Sequence, residues 1–159
     1  MFGDRMKYDV IIVGAGPAGL FSAYELISNN KKLRIALLDK GSSVEHRVCP
    51  MNKNGIPCKN CNPCAILAGY GGAGTFSDGK LTTGINNPLC RKVLQEFYNF
   101  GAPKEILYIN KPHIGTDNLI NVIRNMRNEI IRLGGEFLFN NKVTDFEFEN
   151  NEIKAVICN

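Results

Sequence analysis

Apolar residues follow two different spacings near the amino terminus of this chain. Short apolar runs at 10–13 and 33–38 have the length of buried strands. Between them, from Pro17 to Asn29, apolar residues recur every three or four positions, which predicts a helix packed on one face. We therefore expect a strand, a helix and a second strand, the unit from which parallel sheets are built.

The second half of the chain predicts two more helices and three strands. One helix is expected from Leu89 to Phe100, and a longer one, which Asp117 can cap, ends at Gly134. The spacing then changes to the alternation of half-exposed strands, in segments 136–139, 143–149 and 153–158. Residues 41–88 show no regular period and are rich in Gly, Pro, Asn and Cys. Irregular segments of that length usually serve a function.

A glycine pattern lies between the first strand and the first helix, in the run Gly14-Ala-Gly-Pro-Ala-Gly19. Gly14 permits a tight turn, Gly16 lets a pyrophosphate approach the backbone, and Gly19 lets the helix pack on the strand. Pro17 occupies the first helical position, where a missing N–H removes no helical hydrogen bond. The neighbouring free N–H groups then face the phosphates. This context predicts a dinucleotide site.

An acidic residue ends the second strand. Asp39 follows Gly19 by 20 residues. A carboxylate at that point accepts hydrogen bonds from the adenosine ribose hydroxyls and repels a 2′-phosphate. The pattern therefore favours FAD or NAD over NADP as the ligand.

Length and composition narrow the class of protein. The chain has 159 residues, 44% of them hydrophobic, enough for one domain with its own core. A formal net charge of +4 is spread over the chain, which indicates a solvated surface and an anionic cofactor rather than nucleic acid. No apolar run approaches the roughly 20 residues that span a bilayer, and the amino terminus does not resemble a signal peptide. We expect a cytoplasmic protein without a membrane partner.

Six cysteines in such a protein are expected to be reduced thiols, metal ligands or redox centres. Cys58, Cys61 and Cys64 form C-x-x-C-x-x-C, with Cys49 as a possible fourth ligand. Two-residue spacers let thiolates converge on one ion, so zinc or an iron–sulfur cluster is one hypothesis. A redox-active disulfide and thiols with no shared task are the alternatives.

Three segments carry a resemblance to a known family: Val10 to Leu20, Gly71 to Thr82 and Lys111 to Asp117. Together they resemble the uncharacterised FAD-dependent dehydrogenases, flavoproteins with a Rossmann domain of the glutathione-reductase type. The resemblance implies an α/β fold with a Rossmann-like FAD/NAD(P)-binding parallel sheet, and the alternating pattern of the last three strand segments adds a three-stranded β-meander to this prediction. It also implies that residues 1–159 form the amino-terminal part of an FAD-binding domain with a Gly/Cys-rich insertion at about 41–88. Family members continue into cap and carboxyl-terminal segments.

The resemblance also implies roles for single residues. Arg47 would help to hold the cofactor, the main chain at Val143 would meet the adenine, and Thr75, Ser77, Asp78 and Lys80 would lie near the flavin. A cation such as Lys80 stabilises an anionic reduced flavin. His113 could donate a proton or bind substrate. The candidate cofactor-binding residues are Gly14, Gly16, Pro17, Ala18, Gly19, Asp39, Lys40, Arg47, Gly72, Gly74, Thr75, Ser77 and Val143.

The leading hypothesis is the FAD-binding portion of a flavin-dependent oxidoreductase that exchanges hydride or electrons with a small organic substrate or a nicotinamide. An NAD-binding dehydrogenase uses the same turn and acid and remains an alternative. A non-enzymatic metal or cofactor module centred on the cysteines is another. Flavin-dependent RNA modification has less support, because the sequence lacks an aromatic and basic patch. We expect residues 1–159 alone to bind FAD weakly, since such flavoproteins bury the ring with further chain.

Overall fold

The computed structural model describes residues 6–76, 79–81, 83 and 87–159. The candidate cofactor contact Ser77, together with Asp78 and Thr82, lies outside the described residues. Within the described part of the chain, no helix is both long and apolar enough to cross a membrane.

The amino-terminal unit has the predicted form. Strand β1 (Val10–Val13) leads into helix α1 (Pro17–Asn29), and strand β2 (Ile35–Asp39) follows. Proline stands at the first position of α1, where its fixed φ suits the helix. Strands β1 and β2 pair in parallel, with Val10 opposite Ile35. The predicted strand, helix and strand are confirmed.

The sheet has a third strand, which the sequence pattern predicts as part of a β-meander with the last two strands. Strand β3 (Glu136–Phe139) pairs in parallel with β2, so that β2 lies in the centre. Strands β4 (Val143–Glu149) and β5 (Glu152–Cys158) form a separate antiparallel hairpin. The predicted parallel sheet is confirmed, but the second sheet has two strands instead of a three-stranded meander.

Strand β3 pairs with β2 because its aromatic side chains are packed against Tyr70 there. The rings of Phe137 and Phe139 lie 5.5 Å and 5.7 Å from the ring of Tyr70, in edge-on contact. Tyr70 is fully buried, and its hydroxyl donates to the carbonyl oxygen of Ile123. Burying these rings under the parallel sheet removes more apolar surface from water than an exposed hairpin could.

Three further helices lie in the part of the chain that the structure describes. They are α2 (Pro50–Asn54), α3 (Pro88–Asn99) and α4 (Thr116–Arg132), with short 3₁₀ segments at 44–46, 73–76 and 104–107. The N-cap of α4 is Gly115, so the prediction that Asp117 caps this helix is wrong. Asp117 lies in the first turn, where its negative charge stabilises the helix by interacting with the positive end of the helix dipole.

The core lies between the sheet and helices α1 and α4. Side chains that are fully buried there are Leu20 and Ile27 of α1, Leu37 of β2, and Val122, Met126 and Ile130 of α4. Aromatic pairs join α1 to the segment of α3: Phe21 meets Phe97 at 5.5 Å, and Tyr24 meets Phe100 at 5.2 Å. The middle of α1 is thereby packed against α3 and the residue that follows it.

Glu45, in the loop after β2, pairs with two arginines of α4. Its carboxylate accepts from Arg127 at 2.8 Å and from Arg124 at 3.2 Å. The bond from Arg127 is the main cause that lowers the pKa of Glu45 to about 2, against an ordinary value of 4.5. These pairs tie the loop that leaves the sheet to the longest helix.

Replacement of Gly19 by alanine tests the packing of α1 on the turn that precedes it. A Cβ at this position would overlap the carbonyl oxygen of Gly14 and lie 3.1 Å from its carbon. We expect Gly19→Ala to lower the free energy of unfolding by about 2 kcal/mol, as overpacking does. Gly74→Ala is the control, because its Cβ would meet nothing within 4 Å. Urea denaturation of both variants measures the difference, and equal stabilities would contradict this packing.

The Glu45 pairs predict a pH dependence of stability. Because the folded pKa of Glu45 is below its unfolded value, the pairs stabilise the fold above about pH 4.5 and lose their effect as the pH falls toward 2. The side chain is 33% exposed, so we expect a loss of only about 1 kcal/mol. Glu45→Gln should flatten the pH dependence of the urea midpoint between pH 6 and 3. Glu105→Gln, at an exposed glutamate, should leave that dependence intact.

Candidate functional site

The turn between β1 and α1 has the geometry that its glycines predict. Gly14 has φ of +103°, a conformation open to glycine at little cost. Its N–H donates to the carbonyl oxygen of Leu38 at 2.7 Å, which holds the turn at the carboxyl edge of the sheet. The first N–H groups of α1 point out of the helix start without intrahelical acceptors, and the helix dipole is positive there. Such a helix end binds anions.

Asp39 lies beside this turn at the end of β2. Its Oδ2 accepts from the N–H of Ala15 at 2.9 Å, and its Oδ1 accepts from the N–H of Gly41 at 2.8 Å. These bonds fix the carboxylate in one orientation. Each oxygen keeps acceptor capacity for a further donor, such as a ribose hydroxyl.

A second glycine segment meets the first. The N–H of Gly71 donates to the carbonyl oxygen of Ala15 at 2.9 Å. Gly72 has φ of +71°, and a Cβ there would lie 3.1 Å from Pro17 Cδ and 3.4 Å from Gly16 Cα. A side chain at Gly72 would push the two backbones apart by a few tenths of an ångström, and its positive φ would add strain. The loop at 71–72 therefore forms a wall opposite the start of α1.

Arg47 holds this loop in place. It is buried, with 4% of its surface exposed, and its guanidinium lies 4.4 Å from the ring centre of Phe76. It donates at 2.6–2.8 Å to the carbonyl oxygens of Ala65, Ile66, Tyr70 and Gly72. These four bonds use all but one of its N–H groups. The structure thus gives Arg47 a positioning role, and the predicted contact with a cofactor stays a prediction.

The loop also pairs with the third family-like segment. Leu81 N–H donates to Pro112 O at 2.9 Å, and Ile114 N–H donates to Gly79 O at 3.0 Å. Lys80 and His113 stand opposite each other in this short antiparallel bridge. Side chains of directly opposite residues share one face, so the two catalytic candidates are brought together.

One cavity of about 680 Å³ opens beside the turn and Asp39, and we call it the nucleotide pocket. Its size is within the usual range for cofactor sites. Candidates from the sequence that line it are Gly14, Gly16, Asp39, Lys40, Gly72 and Val143. Asn141 and Lys142 also line it, and the sequence pattern did not single them out. Their position directly before Val143 is the signal that could have found them.

A second, larger cavity of about 1290 Å³ lies on the other side of the start of α1, and we call it the apolar cavity. Candidates that line it are Pro17, Ala18, Gly74, Thr75 and Lys80. Gly19 lines neither of these two cavities and is buried against the turn. The amino-terminal end of α1 therefore separates the two spaces.

The four candidate metal ligands are not brought together. Cys61 and Cys64 line the nucleotide pocket, whereas Cys49 lines a different cavity next to Arg47. Cys58 interacts with its own turn, where its sulfur accepts from the N–H of Asn60 at 3.5 Å. Among the described residues, no three His, Cys, Asp or Glu side chains are grouped so as to hold a metal ion. The structure does not assemble the predicted metal site.

The thiol of Cys64 has a distinct electrostatic setting. Hydrogen bonds from the N–H groups of Leu67 and Ile66 lower its pKa, and the charge of Arg47 adds to the effect. A lower pKa makes this thiol, at the wall of the nucleotide pocket, easier to ionise than an ordinary cysteine.

Part of this site is similar in sequence to a known family model. Residues 9–47, which contain the glycine turn and Asp39, match the FAD binding domain. An uncharacterized protein of Clostridium beijerinckii is 38% identical over 156 residues. That match covers 98% of this chain and 29% of the Clostridium protein, so the chain spans less than a third of its relative.

Solved structures show the same fold. The 3-ketosteroid-Δ4-(5α)-dehydrogenase of Rhodococcus jostii superposes with a TM-score of 0.59 at 11% identity, over 99% of this chain and 43% of that enzyme. Glycine oxidase from Bacillus cereus superposes with a TM-score of 0.57 at 16% identity, over 96% of this chain and 51% of that enzyme. The glycine turn, strands β1 and β2 and Asp39 therefore lie in the segment that matches an FAD binding domain, and the fold around them is the one that these solved structures share.

Proposed function

We propose that this chain is the FAD-binding portion of a flavin-dependent oxidoreductase. The observation that carries the proposal is the convergence of Asp39, Gly16 and Gly72 on one pocket at the start of α1. These residues match, in kind and place, what the adenosine diphosphate half of FAD requires. The whole protein's substrate would be a small organic molecule or a nicotinamide. Its six free thiols support a cytoplasmic location.

The residues of the nucleotide pocket fit the polar half of the cofactor. The fixed carboxylate of Asp39 can accept from ribose hydroxyls. Gly16 and Gly72 present backbone without side chains, which leaves room for a pyrophosphate next to the positive end of α1. The main chain at Val143 completes the pocket and can meet the adenine edge. A pocket of about 680 Å³ accommodates this half of the ligand.

FAD supplies the redox chemistry when bound, by accepting or giving a hydride or electrons at its ring. The chain's own residues position the cofactor and set the charge around it. Lys80 and His113, on one face of the bridge, offer a cation and a proton donor at the rim of the domain. We propose that Lys80 supplies positive charge to the reduced cofactor and that His113 exchanges a proton with substrate.

Titration with three nucleotides tests the proposal against an NAD-binding dehydrogenase. We expect the chain to bind FAD more tightly than NAD, because residues 9–47 match an FAD binding domain. NADP should bind most weakly, because Asp39 repels a 2′-phosphate. Flavin fluorescence and calorimetry measure the three affinities. A chain that binds NAD but not FAD would support the dehydrogenase instead.

Asp39→Asn tests the ribose contact. The substitution keeps one acceptor but removes the charge, so we expect about tenfold weaker binding of ADP, the loss of a charge-assisted hydrogen bond of about 1.5 kcal/mol. The preference against a 2′-phosphate should also shrink. Asp145→Asn, on the exposed hairpin, is the matched control and should bind ADP as the wild type does. An unchanged ADP affinity in Asp39→Asn would remove Asp39 from the site.

Arg47→Lys tests the positioning of the loop. Lysine keeps a positive charge but cannot donate to four carbonyl oxygens in the plane of a guanidinium. We expect a loss of about 3 kcal/mol in the free energy of unfolding, because buried acceptors lose their partners. ADP binding should weaken as well, since Gly72 is one of the carbonyls released. Arg91→Lys, at an exposed arginine of α3, should change neither measurement.

A further inference from the structure

Two cysteines with the spacing of a redox pair lie in the wall of the nucleotide pocket. Cys61 and Cys64 both line it, together with Asn62 and Pro63 between them. The chain bends at these two middle residues, and a bend turns the flanking residues toward each other. A disulfide needs Cα atoms within about 7 Å, a span that the ends of a tight turn have. In a chain whose cysteines are free, a C-x-x-C near a strand–helix–strand unit is typical of a redox pair.

The sulfur of Cys64 has surroundings that suit a thiolate. The N–H groups of Leu67 and Ile66 donate to this sulfur, and the positive charge of Arg47 acts on it as well. Arg47 is held nearby because it donates to the carbonyl oxygens of Ala65 and Ile66, the two residues that follow Cys64. The thiolate is the form of cysteine that attacks a disulfide. The geometry therefore makes Cys64 the attacking thiol of the pair.

Cys58 has the same spacing from Cys61 as Cys64 has, but its surroundings differ. Its sulfur accepts from the N–H of Asn60 at 3.5 Å and donates to Asn60 Oδ1 at 3.7 Å. Cys58 is exposed and is not among the described residues that line the nucleotide pocket. The chain thus carries two C-x-x-C pairs, and the pair at 58 and 61 is an internal reference for the pair at 61 and 64.

We infer that Cys61 and Cys64 form a redox-active dithiol, and that its disulfide form weakens nucleotide binding at the pocket that the pair lines. Leu67, Ala68 and Gly69 of the same segment line this pocket as well. Closure of the disulfide takes the Cys64 sulfur from its N–H donors and moves this wall. A bound nucleotide in turn covers the pair, since such a coupling acts in both directions. The effect on nucleotide binding rests on the proposed function, whereas the dithiol can be tested without a nucleotide.

The oxidant is a small disulfide, for which glutathione disulfide is the probe. The Cys64 thiolate attacks one of its sulfurs, so that a bond from Cys64 to glutathione forms, the S–S bond of the probe breaks, and one glutathione thiolate leaves. The Cys61 thiol then gives its proton to solvent and attacks the Cys64 sulfur, and the second glutathione thiolate leaves. Both thiolates take up protons from solvent. Two electrons pass from the two cysteines, which are oxidised, to the probe, which is reduced to two thiols.

Peptide mapping of the oxidised chain tests the pairing. After reaction of the folded chain with glutathione disulfide, we expect mass spectrometry to find the Cys61–Cys64 disulfide in at least about tenfold excess over the Cys58–Cys61 disulfide. In the chain unfolded in urea, the two pairs have equal spacing and should form in similar amounts. A folded chain that forms both disulfides equally, prefers Cys58–Cys61 or forms neither would overturn the inference.

Single serine variants test the order of attack. Cys61→Ser should stop the reaction at a mixed disulfide of Cys64 with glutathione. Cys64→Ser should react about tenfold more slowly, because the thiolate that the N–H groups and Arg47 favour is gone. Cys58→Ser is the matched control and should form the Cys61–Cys64 disulfide as the wild type does. Equal rates in Cys61→Ser and Cys64→Ser would contradict attack by Cys64.

Calorimetry with ADP tests the effect on nucleotide binding. We expect the disulfide form to bind ADP about tenfold more weakly than the reduced form, and dithiothreitol to restore the affinity. The double variant Cys61→Ser and Cys64→Ser is the control, and its ADP affinity should be the same with and without glutathione disulfide. A loss of affinity on oxidation of this double variant would assign the effect to another thiol and overturn the inference.

The two proposals fail separately. If ADP binds the reduced chain and no Cys61–Cys64 disulfide forms, the redox inference is wrong and the proposed cofactor site stands. If the disulfide forms and neither FAD nor ADP binds the reduced chain, the dithiol stands, while the oxidoreductase proposal and the effect on nucleotide binding both fall. If the disulfide forms and ADP binds both forms equally, the effect on nucleotide binding is overturned.

Discussion

The site depends on the four hydrogen bonds that Arg47 donates to the loop at 65–72. This loop belongs to no sheet, so its carbonyl groups need donors from elsewhere. The guanidinium supplies them in one plane, and its burial against Phe76 excludes water from the group. Burial lowers the pKa of Arg47, and the charges of Asp39 and Cys64 oppose that effect. The positive charge is therefore supported by groups at the nucleotide pocket itself.

Once the loop is fixed, it links three parts of the chain that are distant in sequence. Gly71 bonds to the turn before α1, Tyr70 bonds to Ile123 of α4, and the strand-like piece at 79–81 pairs with 112–114. Most of these contacts are made by the backbone. This explains why the segment is rich in glycine: at Gly72 a side chain would meet Pro17 Cδ at 3.1 Å, and at Gly79 it would meet the N of Gly115 at 2.9 Å. The two family-like loop segments form one structure because they bond to each other.

The parts of the fold that follow a regular period could be predicted from the sequence. The bounds of α1 were predicted correctly, and those of α3 and the three last strands to within one residue, because each has a clear apolar face. The partner of β3 could not be predicted, since its choice depends on Tyr70, which is 67 residues away from Phe137 in sequence. The positioning role of Arg47 could not be predicted either, because its partners are backbone carbonyl groups, which every residue has. The C-x-x-C spacing suggested a metal site, but spacing alone does not determine whether loop side chains converge.

The start of α1 lies between the nucleotide pocket and the apolar cavity, which differ in polarity. Different chemical groups of a bound molecule are therefore favoured on the two sides. On the side of Asp39 a fixed carboxylate repels acids and accepts from hydroxyls. At the helix end itself, the dipole and free N–H groups favour a phosphate. On the other side, the apolar cavity carries two lysines and, among its described lining residues, no carboxylate. A sugar and a phosphate each have a place where the local charge suits them, and an apolar group has its place on the other side of the helix start. The glycines at 14, 16 and 72 let these places lie next to one another without side chains between them.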